Sequence, residues 1–254
     1  MRVLVGNTGL IGKTLMESHL KFDFTFNSSN INLFDGVVED GDELYLSCLP
    51  ASKWLVNQDL PKDMENINNL IEVLQSKSYS RIVLFSTIDV YNAAPLGTDE
   101  TYAVTSQIHG YGRNRYIFEM FVETFLTYKD LKVFRLPALY GKHIKKNVLF
   151  DLLNDNNVDS INLNSAYQWY NLENLAEDVE YYCGAYPKEK VINLFPEPVE
   201  TTEVLKLFPK YSLTKFTDRV EYNYKTKFGK TGYAETKQDS LESIKDFINE
   251  YLRK

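Results

Sequence analysis

The stretch VLVGNTGLIGKTL near the start of the chain, with Gly6, Gly9 and Gly12 between an apolar run and a helical pattern, constrains the fold more than any other feature. Three glycines at that spacing suit one local structure, a buried strand turning tightly into a helix. Gly6 permits the turn out of the strand, Gly9 lets the backbone approach a bound diphosphate, and Gly12 lets the helix pack closely on the strand. The free N–H groups of the first helical turn then face an anion, aided by the helix dipole. Gly6, Asn7, Thr8, Gly9, Leu10, Ile11 and Gly12 are therefore the first candidate dinucleotide contacts.

Short apolar strands alternate with amphipathic helices through the first half. Strands are expected at Arg2–Val5, Phe22–Phe26, Leu44–Cys48, Arg81–Phe85 and Leu131–Leu136. Helices are expected at Leu10–Leu20, Asp63–Gln75 and Tyr111–Tyr128. Such alternation implies parallel pairing through right-handed crossovers. The acid- and glycine-rich stretch 34–42 is too poor in apolar residues for a helix and reads as a loop crossover. The last third predicts a helix at Val148–Leu153, a strand at Ile161–Leu163, a helix at Leu172–Tyr182 and a strand at Val191–Leu194. It ends with a helix capped by Thr201 or Thr202 and running to Phe208, a basic aromatic segment at Tyr222–Phe228 within a surface stretch Tyr222–Lys230, and a helix at Leu241–Leu252. The expected architecture is α/β: a doubly wound, Rossmann-like parallel sheet in residues 1–145, and a smaller C-terminal substrate lobe in 146–254, part of whose helices complete the sheet.

Composition narrows the class. In 254 residues, 44% hydrophobic content supports a sizeable core, and a net charge of −7 argues against a nucleic-acid partner, which needs a basic face. Cys48 and Cys183 form no paired motif and suit buried thiols in a reducing cytoplasm. The histidines at 19, 109 and 143 are scattered, so no metal site is expected. No leader-like segment precedes the first strand, and no apolar run approaches the roughly 18 residues of a membrane span.

The second strand ends in Phe26-Asn27-Ser28-Ser29-Asn30, where an acidic residue would ordinarily hold a ribose 2′-hydroxyl. Uncharged Asn27, Ser28 and Ser29 remove an anion that would repel a 2′-phosphate. This leans toward NADP over NAD, and an Asx-type turn is the competing reading. The strand RIVLFST delivers Ser86 and Thr87, and the segment GYGRNRYIFE follows with Tyr111 and Arg115 four apart on one helix face.

GNTGLIG, FSTIDVY, YGRNR and RLPALYG, in that order, resemble the extended short-chain dehydrogenase/reductase family, also called NAD-dependent epimerase/dehydratases. The resemblance covers the first 145 residues and extends beyond them only in general layout. It implies that Thr87 polarises a substrate oxygen, that Tyr111 is the acid/base, and that the position of Arg115 belongs to a lysine that binds the nicotinamide ribose and acidifies the tyrosine. Here that lysine is arginine, which keeps the charge but not the ammonium geometry. The resemblance further implies cofactor contacts at Ser47, Cys48, Leu49, Ser86, Tyr111, Arg115, Pro137 and Leu139. Substrate-side candidates are Lys53, Trp54, the basic run Lys142, Lys145 and Lys146, the adjoining Asn147, and Trp169. Trp54 reads first as a packed aromatic, and the basic run has a solvated loop as its alternative.

The leading expectation is an NAD(P)-dependent oxidoreductase or epimerase acting on a nucleotide sugar or related carbohydrate, cytoplasmic, without nucleic-acid or membrane partners and compatible with a homodimer. The alternative is a non-catalytic NAD(P)-binding regulator or partner subunit on the same fold, which Arg115 favours.

Overall fold

β1 (Arg2–Val5) is three-quarters buried and leads through the glycine turn into α1 (Leu10–Glu17), which turns Gly12 and Leu15 inward. The structure, a computed structural model, describes residues 1–105 and 107–253. β2 (Phe24–Phe26) follows, and a 3-10 helix over Ile31–Gly36 takes the place of a full crossover helix before β3 (Asp42–Leu46). This is the shortened crossover expected from the acids and glycines of that stretch.

α2 (Lys53–Gln58) was not expected from periodicity; six residues are too few to display a stripe. α3 (Leu60–Leu74) starts earlier than predicted, because the Asp59 carboxylate accepts the Lys62 N–H at 3.0 Å and Pro61 sits in the first turn. β4 (Ser78–Thr87), α4 (Gly110–Phe125) and β5 (Thr127–Leu136) complete the pattern of the first half.

Beyond them come β6 (Ala138–Tyr140), α5 (Val148–Leu153), β7 (Ser165–Tyr167), β8 (Trp169–Asn171) and α6 (Leu175–Ala185). β9 (Val191–Asn193), β10 (Val199–Glu200), α7 (Thr201–Leu205), β11 (Val220–Glu221) and α8 (Lys237–Tyr251) close the chain.

Six strands form the main sheet in the order β2-β1-β3-β4-β5-β9. β1 pairs in parallel with both β2 (Val3 opposite Phe24) and β3 (Val3 opposite Leu44), and β3 pairs in parallel with β4. The chain steps outward from β1 to β2 and then returns to the other side of β1. The order therefore reverses between β1 and β3, and a ligand crevice opens at the carboxyl ends of strands where order reverses. Gly6 and Ser47 stand at those two ends.

The chain forms two compact units built from interleaved segments. The first holds Met1–Ala94, Ala103–Arg135 and Leu175–Ile192; the second holds Pro95–Tyr102, Leu136–Asn174 and Asn193–Lys254. In the first, Val3, Leu44, Ile82 and Leu84 of the sheet share a core with Ile67 and Ile71 of α3 and Phe118 and Val122 of α4. The fully buried Lys132 ties the turn after α6 to β5: its ammonium donates to the carbonyls of Tyr186, Pro187 and Glu189 at 3.0, 2.8 and 2.6 Å. In the second unit, β10-β7-β11 and the parallel pair β6-β8 lie with a core of Tyr140, Leu149, Trp169, Val199, Ile244 and Phe247.

Three expectations in the last third change. The strand expected at Ile161–Leu163 lies instead at Ser165–Tyr167. Asn162 and Asn164 bind the backbone of 217–218 through their side chains, which diverts that stretch from a ladder. Glu200, not Thr201 or Thr202, caps α7, in a reciprocal box with Glu203. Within the segment Tyr222–Phe228, Tyr224 and Thr226 are buried rather than on the surface.

Candidate functional site

The three glycines of the turn have different reasons to be glycine. Gly6 has φ +101°, and a Cβ there would lie 2.4 Å from the Ser47 carbonyl oxygen. A Cβ on Gly12 would lie 2.1 Å from the Gly6 carbonyl oxygen, so this residue sets the closeness of α1 to the turn. Gly9 is different: its nearest protein neighbours would be 3.5 and 3.8 Å away, ordinary contact distances. Packing does not demand glycine there, and a side chain would fill the space in front of the turn. The start of α1 has no side-chain cap and no acid in its first turn, so nothing from the protein competes for an anion. These residues fit a dinucleotide diphosphate.

At the end of β2 the polar residues bind one another. Asn27 Nδ2 donates to Asn7 Oδ1 at 3.1 Å, and Asn27 Oδ1 accepts from the N–H and hydroxyl of Ser29 at 2.8 and 2.6 Å. Asn7 Nδ2 donates in turn to Thr25 Oγ1 at 3.0 Å. The Asx-type turn is thus present, and it joins the end of β2 to the glycine turn. Ser28 is exposed beside it. At the end of β3, the Ser47 hydroxyl donates toward the carbonyls of Val5 and Gly6 at 3.4 and 3.3 Å. Leu49 is half-buried, and burial pushes the Cys48 thiol up to about 12, so it stays an uncharged thiol at neutral pH.

A second cluster gathers where β4 ends and α4 begins. Thr87 Oγ1 accepts the Asp89 N–H at 3.2 Å, capping the 3-10 turn over Ile88–Tyr91 and leaving its own O–H to donate. Asp89 is buried and holds the Lys53 ammonium at 2.6 Å. A Cβ on Gly112 would lie 2.0 Å from the Asp89 carbonyl oxygen. Glycine at that position lets α4 lie against the turn and carries Tyr111 beside Asp89. The helix start is capped from α2: the Tyr111 N–H donates to Asn57 Oδ1 at 2.7 Å.

Arg115 is held inside the protein. Its guanidinium is buried and grips Asp63 at two points, Nη1 to Oδ2 at 2.8 Å and Nη2 to Oδ1 at 3.0 Å, with Nη2 also on the Pro50 carbonyl at 2.8 Å. Its face lies over the Tyr111 ring at 4.4 Å. Burial pushes the Tyr111 phenol above its ordinary value; Arg115 works the other way, and Asp89 and Asp63 oppose Arg115. Arg115 thus acts on Tyr111 in the expected direction, by its charge and by a side-chain hydrogen bond, and burial of the phenol outweighs it.

Ser86 hydrogen-bonds Glu119, whose carboxylate also takes a two-point grip from Arg135 at 3.1 and 2.6 Å, while Arg135 Nη1 donates to the Tyr91 hydroxyl at 2.6 Å. Ser86 thus anchors a buried network and is not a free ligand contact.

The remaining candidates behave unequally. Trp54 is 70% exposed on α2, next to exposed Leu55, and not the packed aromatic expected. Trp169 is the reverse: 1% exposed, edge-on to Tyr167 in the second unit's core, it does not reach a ligand surface. Asn147 is also corrected. At φ +113° it caps α5, its Oδ1 accepting the Phe150 N–H at 3.1 Å and its Nδ2 donating to the Leu139 carbonyl at 2.8 Å. Its side chain is committed to the backbone. Lys142, Lys145 and Lys146 are exposed on the loop before α5, and Pro137 is buried with Leu139 half-buried on the approach to it.

Asp63, Asp89, Asn57 and Glu119 were not anticipated. Asp63 carried a legible signal, since it sits four residues before Ile67 and eight before Ile71 on the apolar stripe of α3. No group of acids, histidines and cysteines able to hold a metal occurs among the described residues. No helix there is long and apolar enough to cross a membrane.

No protein-family model matches the chain, and no curated protein matches it by sequence. Solved structures match it over nearly its whole length. A UDP-galactose 4-epimerase superposes with a TM-score of 0.74 at 14% identity, covering 100% of this chain and 99% of its own. MoeE5 in complex with UDP-glucuronic acid and NAD superposes with a TM-score of 0.73 at 14% identity, covering 99% and 98%. A dTDP-4-dehydrorhamnose reductase from Yersinia enterocolitica gives 0.69 at 9% identity, covering 98% and 99%. At such identities the likeness is one of fold alone.

Proposed function

We propose that this chain, which carries the fold of the extended short-chain dehydrogenase/reductases, is an NAD(P)-dependent oxidoreductase or epimerase acting on a nucleotide sugar. The observation that carries the reading is the glycine turn at the order reversal of the sheet. There Gly9 is glycine without a packing reason, in front of an uncapped helix start. Structures of the same fold hold UDP-sugars with NAD, which supports the substrate class.

In this reading the backbone of Asn7 to Ile11 holds the diphosphate, and Asn27 to Ser29 stand at the adenosine ribose. The nicotinamide, when bound, supplies two-electron exchange with a substrate carbon. Thr87 donates its hydroxyl to the substrate oxygen, and Tyr111 moves the proton at that oxygen. Asp89 orients Thr87 through its N–H, and Asn57 fixes the first turn that presents Tyr111. The decisive experiment is calorimetric titration with NAD(H) and NADP(H), followed by single-turnover absorbance of the reduced nicotinamide with UDP- and dTDP-sugars. Binding followed by turnover supports the reading. Binding without turnover of any such sugar gives the non-catalytic alternative its place, which the commitment of Arg115 to Asp63 already favours.

Two further outcomes belong to this reading. NADPH binds more tightly than NADH, because no carboxylate stands at the turn after β2 to repel a 2′-phosphate. Equal or reversed dissociation constants refute that preference. Changing Lys142, Lys145 and Lys146 together to alanine weakens nucleotide-sugar binding and leaves dinucleotide affinity alone. An unchanged sugar-nucleotide Kd returns the run to a solvated loop.

A further inference from the structure

Trp54 is the most exposed large apolar side chain among the described residues, at 70%. The helix that carries it, α2, is tied to the two elements that hold the candidate catalytic groups. The Lys53 ammonium reaches the buried Asp89 carboxylate at 2.6 Å, on the 3-10 turn that follows Thr87. Asn57 Oδ1 accepts the N–H of Tyr111 itself at 2.7 Å. A Cβ on Gly110 would lie 2.7 Å from that same Oδ1, and Gly110 has φ +57°, so glycine there lets α2 seat against the start of α4.

A helix turns about 100° per residue, which fixes where the rest of α2 faces. Lys53 and Asn57, four apart, share the side turned to Asp89 and Tyr111. Val56 is buried and marks the side turned to the core. Trp54 stands three positions before Asn57, next to it on the helix surface and nearly opposite Val56. The indole therefore sits at the rim of the cluster of Thr87 and Tyr111, on its solvent side. An indole left in water forgoes a large apolar burial, and its flat face suits a partner that arrives with the ligand.

We propose that Trp54 is a specificity-determining residue whose ring stacks on the C–H face of the hexose of a nucleotide sugar. This rests on the function proposed above. In that reading Thr87 and Tyr111 meet the sugar at its reacting oxygen, and α2 touches the elements that carry those two residues, so the ligand ring beside Trp54 is the sugar. A hexose presents C–H bonds on the faces of its ring and hydroxyls at the edge. The indole covers one such face and excludes water from it, which strengthens binding of the sugar and not of the nucleotide attached to it.

The test separates the two parts of the ligand. UDP-glucose and dTDP-glucose are compared with UDP and dTDP by intrinsic fluorescence and by calorimetry. The wild-type spectrum minus that of Trp54→Phe isolates Trp54 from the buried Trp169. The sugar nucleotides change the Trp54 emission and the free nucleotides do not. Trp54→Ala and Trp54→Leu weaken sugar-nucleotide binding about tenfold and leave the affinities for UDP, dTDP and NAD(P)H alone, while Trp54→Phe, which keeps a flat ring, stays within about threefold of the wild type. An unchanged sugar-nucleotide Kd in Trp54→Ala or Trp54→Leu overturns the proposal. So does an equal loss for UDP and UDP-glucose, which puts the base and not the hexose on the indole. An emission that follows protein concentration and not ligand gives this face to a second copy of the chain and also overturns it. Binding of a sugar nucleotide that leaves Trp54 indifferent sinks this inference alone, whereas failure of both sugar nucleotides to bind sinks the proposed function with it.

Discussion

Replacing Gly9 by valine abolishes dinucleotide binding and leaves the protein folded, while the same change at Gly12 unfolds or severely destabilises it. The two residues are three apart in one turn, and their surroundings decide the difference. A Cβ at Gly9 would stand 3.5 Å from its nearest protein neighbour and would project into the space where a diphosphate must come close to the backbone. The expected loss is at least about a hundredfold in Kd, or about 2.8 kcal/mol, with little change in Tm. At Gly12 the Cβ would be 2.1 Å from a backbone oxygen, which no rotamer change relieves. Forcing that contact costs about 3 kcal/mol or more, enough to lower Tm by roughly 6–12 °C in a protein of this size. Calorimetry with NAD(P)H and a thermal melt on each variant check both halves. If Gly9→Val binds dinucleotide like the wild type, the turn is not the cofactor cradle.

The features legible in the sequence were those whose meaning is local. The glycine spacing, the Thr87 strand end and the Tyr111 helix could be read because each depends on neighbours a few residues away. The features that escaped depend on what the fold brings alongside. Arg115 reads as a lysine substitute from its own helix, yet its partner, Asp63, lies 52 residues earlier on α3. The two tryptophans reverse for a similar reason. Hydropathy gives both the same inward tendency, but Trp54 falls on the outer side of a six-residue helix, whereas Trp169 lies in a core strand. Asn147 drew notice as the end of a basic run, while its backbone at φ +113° and its capping bonds make it a helix start. Charged residues inside apolar stretches, Lys132 and Arg135 in β5 and Asp63 in α3, were the overlooked signal. A charge within a buried strand or stripe implies a partner.

Glu119→Ala is expected to destabilise the protein by about 3–5 kcal/mol, the largest loss of stability among changes outside the glycine turn. The side chains of Glu119 and Arg135 are 7% and 5% exposed, and their two-point pairing is the main compensation for burying a guanidinium. Removing the carboxylate leaves Arg135 with its bond to the Tyr91 hydroxyl and its stacking on that ring, which do not replace a counter-charge. It also strips Ser86 of its acceptor at the end of β4, one residue before Thr87. Loss of the Glu119 carboxylate should therefore loosen the strand end that presents Thr87. The double variant Glu119→Leu/Arg135→Met removes both charges and should recover most of the stability, because a buried ion pair exchanged for apolar volume is often neutral. Urea unfolding of Glu119→Leu, Arg135→Met and their double variant forms the cycle, with Glu119→Ala measured beside it. A Glu119→Ala loss below about 1 kcal/mol would mean that water reaches Arg135, and that the network does not hold the end of β4.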